Sequence, residues 1–217
     1  MELRERANKG LHKFVIEWLQ QQSWFIPNQL SLMDIGCGSG AFLKLCQEAG
    51  CGSMHGLDMD TQQFGLSDIP VSSINLDIVT SESFGLFNVI TALEILEHLH
   101  NPGNLFQLIS SHLAPDGKAV ITTPNIHSIA ARLLFLGRGR LPHFDNKSDA
   151  THVYPVYLEN IQRILPAYGL KLSAVHYFPV NGHQIYSRST VLISKALSLM
   201  VPEKHPGDNL LLLLEHL

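Results

Sequence analysis

The sequence predicts an α/β fold with a doubly wound, mainly parallel sheet, and three observations support this. Short apolar runs typical of buried strands alternate with helical patterns roughly every 20 to 30 residues. One such run ends at Asp34 and leads directly into alternate glycines and a helical pattern. The chain has 217 residues, 45% hydrophobic and 16% charged, an ordinary globular composition for one substantial domain.

The elements follow the chain in a regular order. The predicted strands share short apolar runs bounded by turn residues and cover 30–34, 53–58, 71–76, 87–92, 118–122, 170–178 and 210–214. The predicted helices share apolar residues at helical spacing and cover 11–19, 41–49, 102–113, 156–168 and 190–200. A turn over 115–117 precedes the fifth strand.

We expect a single domain over residues 1–217. It has an N-terminal helical region (1–27) and two insertions, at about 124–150 and about 179–206. The first insertion is rich in Gly, Arg, His and Asn and is predicted to be a loop or lid.

Composition excludes several function classes. A net charge of −4 and a pI near 6.3 give no electrostatic reason to expect a nucleic-acid partner. Three cysteines without a C-x-x-C pair argue against a disulfide framework. The N-terminus lacks the apolar core of a signal peptide, and no apolar run approaches the ~20 residues of a membrane span. We therefore expect a cytoplasmic protein.

The glycine turn fits two cofactor classes. Gly36 and Gly38 followed by Ala41 match the dinucleotide fingerprint G-x-G-x-x-G/A. Asp34 with Gly36, Gly38 and Gly40 also fits the loop of S-adenosylmethionine (SAM) methyltransferases. Glycines permit positive φ and close approach of a ligand, and open N–H groups at a helix start favour electronegative ligand atoms.

Two further acids end predicted strands, at the sheet edge where ligands bind in open α/β folds. Asp58 lies 20 residues beyond Gly38, the spacing at which a carboxylate reaches a ribose diol. Asp77 is a weaker candidate, with adenine N6 as its expected partner. Both residues could instead cap helices.

Four segments in series resemble class I SAM-dependent methyltransferases, in the small-molecule branch that includes ubiquinone-biosynthesis O-methyltransferases. The first is the glycine turn, residues 32–40. The others resemble that branch's segment after the fourth strand, its fifth-strand region and its later landmarks: 92–102, 113–125, and 152–154 with 168–170. The resemblance covers about residues 28–178.

The resemblance implies a seven-stranded sheet with an antiparallel last strand, and SAM as the cofactor with S-adenosylhomocysteine (SAH) as its product. The glycine turn would meet the methionine part of SAM, Asp58 the ribose, and Asp77 and Ile78 the adenine. His98 would line the substrate side. The implied cofactor-binding residues are Asp34, Gly36, Cys37, Gly38, Gly40, Asp58, Met59, Asp77, Ile78, Leu93 and Glu94.

A hydroxyl acceptor needs help to lose its proton, and histidine titrates near neutrality. The candidates are His98, His127, His143 and His152, of which His98 is favoured because its motif places it near the cofactor. No H-E-x-x-H motif or Cys/His cluster occurs, so no metal site is predicted.

Two other features of the sequence each have two interpretations. Cys37 is either a reactive thiol at a helix start or a small residue that suits the turn. The arginines of the first insertion either bind an anionic substrate or form a solvated face: Arg132, Arg138 and Arg140.

The predicted function is methyl transfer from SAM to a small-molecule acceptor, with oxygen favoured over nitrogen or carbon, by a monomer or homodimer. One alternative is an NAD(P)-dependent oxidoreductase, supported only by the glycine spacing. Another is a non-catalytic binding or regulatory protein, because a fold can persist without turnover.

Overall fold

The computed structural model describes residues 3–78, 83–179, 184–199 and 206–217. Residues 1–2 of the predicted N-terminal region, and parts of the predicted second insertion and of the 190–200 helix, lie outside the described residues.

The described residues form one seven-stranded sheet. Its strands are β1 (Ser31–Ile35), β2 (Ser53–Asp58), β3 (Val71–Ser73), β4 (Phe87–Leu93), β5 (Leu113–Pro124), β6 (Leu170–Phe178) and β7 (Asn209–His216). The order is β3-β2-β1-β4-β5-β7-β6. The first five strands are mutually parallel, whereas β7 inserts between β5 and β6 and runs antiparallel to both. The predicted fold class and the antiparallel last strand are confirmed.

Helices cover both faces of the sheet. They are α1 (Leu11–Gln20), α2 (Ala41–Glu48), α3 (Pro102–His112), α4 (Ile129–Arg138), α5 (Leu158–Ile164) and α6 (Arg188–Ser198). Successive strand residues point to opposite faces, so β1 sends Leu32 into the core under α1 and α2 and Met33 into the core under α3 and α5. This doubly wound arrangement brings the carboxyl ends of β1, β2 and β4 to one edge.

Several predicted boundaries differ from the structure. β5 extends back through the predicted turn to Leu113, and β3 ends at Ser73. The helical pattern over 156–168 divides into α5 and a 3₁₀ segment over Leu165–Tyr168, because Pro166 lacks the N–H that an α-helix would use.

The sequence missed α4, which lies inside the segment interpreted as an insertion or lid. Ser128 caps its start by accepting a hydrogen bond from the Ala131 N–H, and Gly139 ends it at φ 60°. A serine before an apolar run and a glycine after it are ordinary helix boundaries that could have identified it. α4 packs against α6, so the two predicted insertions contact each other.

We find no α-helix in the described part of the chain that is both long enough and apolar enough to span a bilayer.

Candidate functional site

The glycine turn joins β1 to α2 and has three glycines with positive φ: Gly36 at 76°, Gly38 at 52° and Gly40 at 88°. A Cβ on Gly36 would lie 2.0 Å from Ile95 Cδ1, whereas a Cβ on Gly38 would meet nothing within 4 Å. A side chain at position 36 would therefore overlap Ile95 unless Ile95 moved. Gly38 leaves open space beside the cavity that it lines.

The amides of this turn are bonded within the protein. Gly36 and Cys37 both donate to the Leu57 carbonyl, at 2.7 and 3.0 Å, and Gly40 donates to the Cys37 carbonyl at 2.8 Å. Gly38 donates to Asp58 Oδ2 at 2.7 Å. The N–H groups of these four residues are therefore not open, contrary to the expectation for this turn.

Asp34 is buried beneath the turn, with 3% of its surface exposed. The hydroxyl of Thr91, on the neighbouring strand β4, donates a hydrogen bond to Asp34 Oδ1 at 2.6 Å. Burial raises the pKa of Asp34 to about 7, opposed by the Thr91 hydrogen bond and assisted by the charge of Asp58. Asp34 does not line the cavity, so it supports the turn from below.

Asp34 makes stability depend on pH. The folded protein holds its proton up to a pKa of about 7, whereas an unfolded chain releases it near 3.9. The free energy of unfolding should therefore fall as pH rises from about 4 to 7, by up to roughly 4 kcal/mol from this group.

Asp34→Asn should flatten that fall, as measured by urea unfolding at pH 4.5 and 7.5. Glu94 and Glu97 also have raised pKa values and add to the same pH dependence. The contribution of Asp34 is therefore the difference in pH dependence between the variant and the wild-type protein. Equal pH dependence in the two proteins would contradict an ionisation of Asp34 in this range.

Asp58 ends β2 beside the turn, as the sequence predicts. Its carboxylate accepts from Gly38 N–H through Oδ2 and from Asp60 N–H through Oδ1 at 2.9 Å. Asp58 thus holds the turn while its side chain borders the cavity.

A cavity of about 800 Å³ lies over the carboxyl ends of β1, β2 and β4. The predicted cofactor residues that line it are Gly36, Cys37, Gly38, Asp58, Met59, Leu93 and Glu94, together with His98. Such a volume accommodates a nucleoside-sized ligand. The structure thus gathers most of the predicted cofactor set around one cavity.

The sequence missed the N-terminal contribution to this cavity. Arg4, Arg6 and His12 line it, and the Arg4 N–H donates to Ser39 Oγ at 2.9 Å, which fixes the segment across the turn. His12 Nδ1 is buried without a hydrogen-bond partner among the described residues. No local motif marks these residues, because their role depends on where the segment folds back.

Asp77 and Ile78 do not line the cavity. Asp77 accepts from the His100 N–H at 2.9 Å and contacts His100 Nδ1 at 3.1 Å, which lowers the pKa of Asp77. His100 itself lines the cavity, and Ile78 is 64% exposed. Contact of Asp77 or Ile78 with adenine remains a prediction.

Glu94 follows β4 in a left-handed conformation, φ 56°. Its N–H donates to both the carbonyl and the hydroxyl of Thr122, and Asn209 Nδ2 donates to its Oε2 at 2.6 Å. Burial raises the pKa of Glu94 to about 7. Its Oε1 is buried and has no hydrogen-bond partner among the described residues.

A second cavity, of about 570 Å³, adjoins the first. Glu94 and His98 line both, so they stand at the junction. α4 contributes Leu134 and Arg138 to the second cavity, and α6 contributes Thr190. The missed helix therefore helps to form the wall of the second cavity.

Three of the four candidate histidines meet at this junction. The ring centroids of His98 and His152 are 4.6 Å apart, and those of His143 and His152 are 6.3 Å apart. Burial, with the charge of His152, lowers the pKa of His98 and lowers that of His143 to about 4. His127 is separate, stacked on Tyr157 at 5.3 Å.

Two backbone hydrogen bonds bring these distant segments together. The Glu97 carbonyl accepts from the N–H groups of Val153 and Tyr154, both at 2.9 Å. This pairing sets His152 beside His98. One potential metal-ligand atom from each of Glu97, His98 and His152 lies within 4.8 Å of the other two. The sequence, which predicted no metal site, gives no spacing signal for this convergence.

The structure bears differently on the two interpretations of Cys37 and on those of the three arginines. Burial and the charges of Asp34 and Asp58 raise the pKa of the Cys37 thiol, which argues against a reactive thiolate. Arg138 and Arg140 line the second cavity, where Arg140 pairs with Asp145. Arg132 instead donates to the His127 carbonyl at 2.9 Å.

Comparison with known proteins identifies the family. A family model described as a methyltransferase domain matches residues 4–175. The chain is 27% identical over 182 residues to a ubiquinone biosynthesis O-methyltransferase of Colwellia psychrerythraea, covering 77% of this chain and 72% of that protein. A protein of the same name from Aeromonas salmonicida is 23% identical over 178 residues, 76% of this chain and 74% of its own.

Solved structures have the same fold. A SAM-dependent methyltransferase from Archaeoglobus fulgidus aligns with a TM-score of 0.63 at 21% identity, over 94% of this chain and 93% of that one. Magnesium protoporphyrin IX methyltransferase from Synechocystis, solved with bound SAH, aligns with a TM-score of 0.60 at 14% identity. The alignment covers 95% of this chain and 82% of that one.

These matches decide between the cofactor classes that the glycine turn left open, and they remove the support for an oxidoreductase or a non-catalytic protein. The chain belongs to the class I SAM-dependent methyltransferases, and SAM is its methyl donor.

Proposed function

We propose that this methyltransferase transfers the SAM methyl group to a hydroxyl of a small molecule bound in the 570 Å³ cavity. The observation that carries the proposal is the junction of the two cavities at Glu94 and His98. A donor in one cavity and an acceptor in the other would meet beside these two residues. Productive positioning of this kind can supply much of the rate of a displacement reaction.

The first cavity fits SAM. The glycine turn offers backbone without side chains at Gly36 and Gly38, Asp58 offers two carboxylate oxygens to a ribose, and Leu93 and Ile95 add apolar walls. The bound cofactor supplies a sulfonium methyl. The acceptor oxygen takes this methyl as the C–S bond breaks, the electron pair stays on sulfur to give SAH, and the hydroxyl proton is released.

Two observations support oxygen as the acceptor atom. The curated relatives described above are named O-methyltransferases. His98 stands at the junction, and a hydroxyl, unlike a neutral amine, benefits from a group that promotes loss of its proton. His98 is thus the proposed catalytic residue, as the sequence predicts.

The lining of the second cavity indicates what the acceptor carries. Four cationic side chains line it against three acidic ones: Arg6, Arg138, Arg140 and Lys147 against Glu94, Asp145 and Asp149. Leu134, Pro142 and Ile185 supply apolar surface. These side chains favour a hydroxylated molecule with an apolar body and an anionic substituent. An acceptor panel should therefore contain hydroxylated aromatic acids.

Isothermal titration calorimetry tests the cofactor assignment. The wild-type protein should bind SAM and SAH. Asp58→Ala should weaken both by about 1–3 kcal/mol, because the carboxylate holds the turn through Gly38 and, in this proposal, also bonds the ribose.

Asp60→Ala is the matched control, because its carboxylate caps the following turn and does not line the cavity. An Asp58→Ala protein with unchanged SAM affinity would remove the ribose assignment. Absence of methyl transfer to any hydroxylated acceptor, with transfer to amines instead, would refute the O-methyl proposal.

A further inference from the structure

We propose that the imidazole of His100, held in place by Asp77, recognises the exocyclic amino group of the cofactor's adenine ring. The inference rests on the proposed function above for the places of the ribose and the sulfonium in the cofactor cavity. It adds the residue that reads the nucleobase, and it gives Asp77 a positioning role.

The cofactor cavity leaves one region for the base. The proposed function sets the sulfonium beside Glu94 and His98 and the ribose at Asp58, while the glycine turn and the N-terminal segment border the methionine part. A base attached to the ribose then lies against the rest of the lining. That lining includes three apolar side chains and one imidazole: Met59, Ile95, Val153 and His100.

His100 engages both oxygens of the Asp77 carboxylate. Oδ1 of Asp77 accepts from the His100 backbone N–H at 2.9 Å, and Oδ2 lies 3.1 Å from His100 Nδ1. The preceding residue is tied to α3, because Asn104 Nδ2 donates to the Leu76 carbonyl at 2.8 Å. His100 lines the cofactor cavity, whereas Asp77 does not. Asp77 is therefore placed to act on a bound cofactor through His100.

This pairing fixes the tautomer of His100. The hydrogen bond from His100 lowers the pKa of Asp77, so the carboxylate is ionised at neutral pH and can only accept. Nδ1 then carries the proton of the neutral imidazole, and the lone pair lies on Nε2. Nε2 has no hydrogen-bond partner among the described residues, and the His100 side chain is 76% exposed. The ring thus offers an acceptor atom to a ligand.

An acceptor atom at this place suits adenine. The amino group of adenine donates hydrogen bonds, whereas the 6-oxo group of hypoxanthine only accepts them. Nε2 accepts from the first and faces the lone pairs of the second. A site that hydrogen-bonds one substituent discriminates against an analogue that leaves its polar atoms unpaired. His100 therefore favours the adenine form of the cofactor.

Calorimetry with SAH and S-inosylhomocysteine, in which hypoxanthine replaces adenine, tests this assignment. The wild-type protein should bind SAH about tenfold or more tightly than the analogue. His100→Ala should reduce this preference to about threefold or less. His100→Gln, whose Oε1 can take the place of Nε2, should restore part of it. The remote His176→Ala, beside Trp18, should keep the wild-type preference.

Asp77→Asn tests the positioning role. An asparagine that keeps its oxygen on the His100 N–H presents its amide N–H to Nδ1, which moves the imidazole proton to Nε2. Nε2–H then donates to the 6-oxo group, so the preference for SAH should fall about fivefold or reverse. In the double variant Asp77→Asn/His100→Ala, the loss of preference should equal that of His100→Ala alone.

Thermal unfolding shows which variants are folded. A folded His100→Ala protein with the wild-type preference overturns the assignment, as does a wild-type protein that binds both ligands equally. Additive losses in the double variant overturn the positioning role, because Asp77 would then act on the base directly. SAH affinity and its loss in Asp58→Ala report separately on the proposed function, and neither measurement needs an acceptor.

Discussion

Gly36→Ala should destabilise the protein by about 2–5 kcal/mol and lower its melting temperature by roughly 4–20 °C. The new Cβ would lie 2.0 Å from Ile95 Cδ1 and 2.5 Å from Ile95 Cγ1, at a φ of 76° that an alanine adopts only at a cost. Both effects act in the folded state, so thermal and urea unfolding measure them directly.

Gly38→Ala is the matched control for this prediction. Its φ is also positive, at 52°, but no atom lies within 4 Å of the added Cβ, so it should cost only about 1–2 kcal/mol. Because Gly38 lines the cofactor cavity, we expect its main effect to be at least tenfold weaker SAM binding.

The double variant Gly36→Ala/Ile95→Ala separates the two costs. It removes the overlapping atoms of Ile95 and should recover part of the stability in a double-mutant cycle. If the two substitutions were additive, contact with Ile95 would not be the reason that position 36 requires glycine.

His98→Asn should lower kcat for a hydroxylated acceptor by about a hundredfold or more while leaving SAM affinity within a few-fold. The side chain is placed at the junction of the two cavities, where a group that promotes proton loss acts on the acceptor. Steady-state methyl transfer and SAM calorimetry are the two measurements.

Thr151 provides a graded comparison, because its hydroxyl oxygen accepts from His98 Nδ1. Thr151→Val should cost about tenfold in kcat, and Thr151→Ser should restore it, because serine keeps the hydroxyl. The remote His176→Asn, beside Trp18, is the control for loss of a histidine. A His98→Asn enzyme with wild-type kcat would exclude a role for His98 in the chemical step.

The sheet and the glycine turn could be predicted because their causes are local. Strand periodicity and turn residues are visible in short windows of sequence, and the three glycines follow from backbone conformations that few other residues adopt. The same reasoning located Asp58, because the end of a parallel strand next to β1 necessarily lies beside the turn that follows β1. The predicted boundaries of β5 and α5 were wrong, because turn residues or a proline lie within the segments that form these elements.

The environment of a side chain could not be predicted in this way. Asp34 was expected to bind cofactor, which remains a prediction, and its hydrogen bond with Thr91, a residue of another strand, was not foreseen. Asp77 was expected to meet adenine, which remains a prediction, and its hydrogen bond with His100 was not foreseen. In both cases the carboxylate was located correctly on its strand or loop, but its partner came from a segment that only folding brings near.

By itself, the sequence determined the fold class, the methyltransferase family and its SAM cofactor. Only the tertiary structure decided that the N-terminal segment crosses the turn, that α4 forms a wall of the second cavity, and that Glu97, His98 and His152 converge. The reason is physical: backbone conformation depends on neighbours along the chain, whereas a site depends on contacts between residues that lie far apart in it.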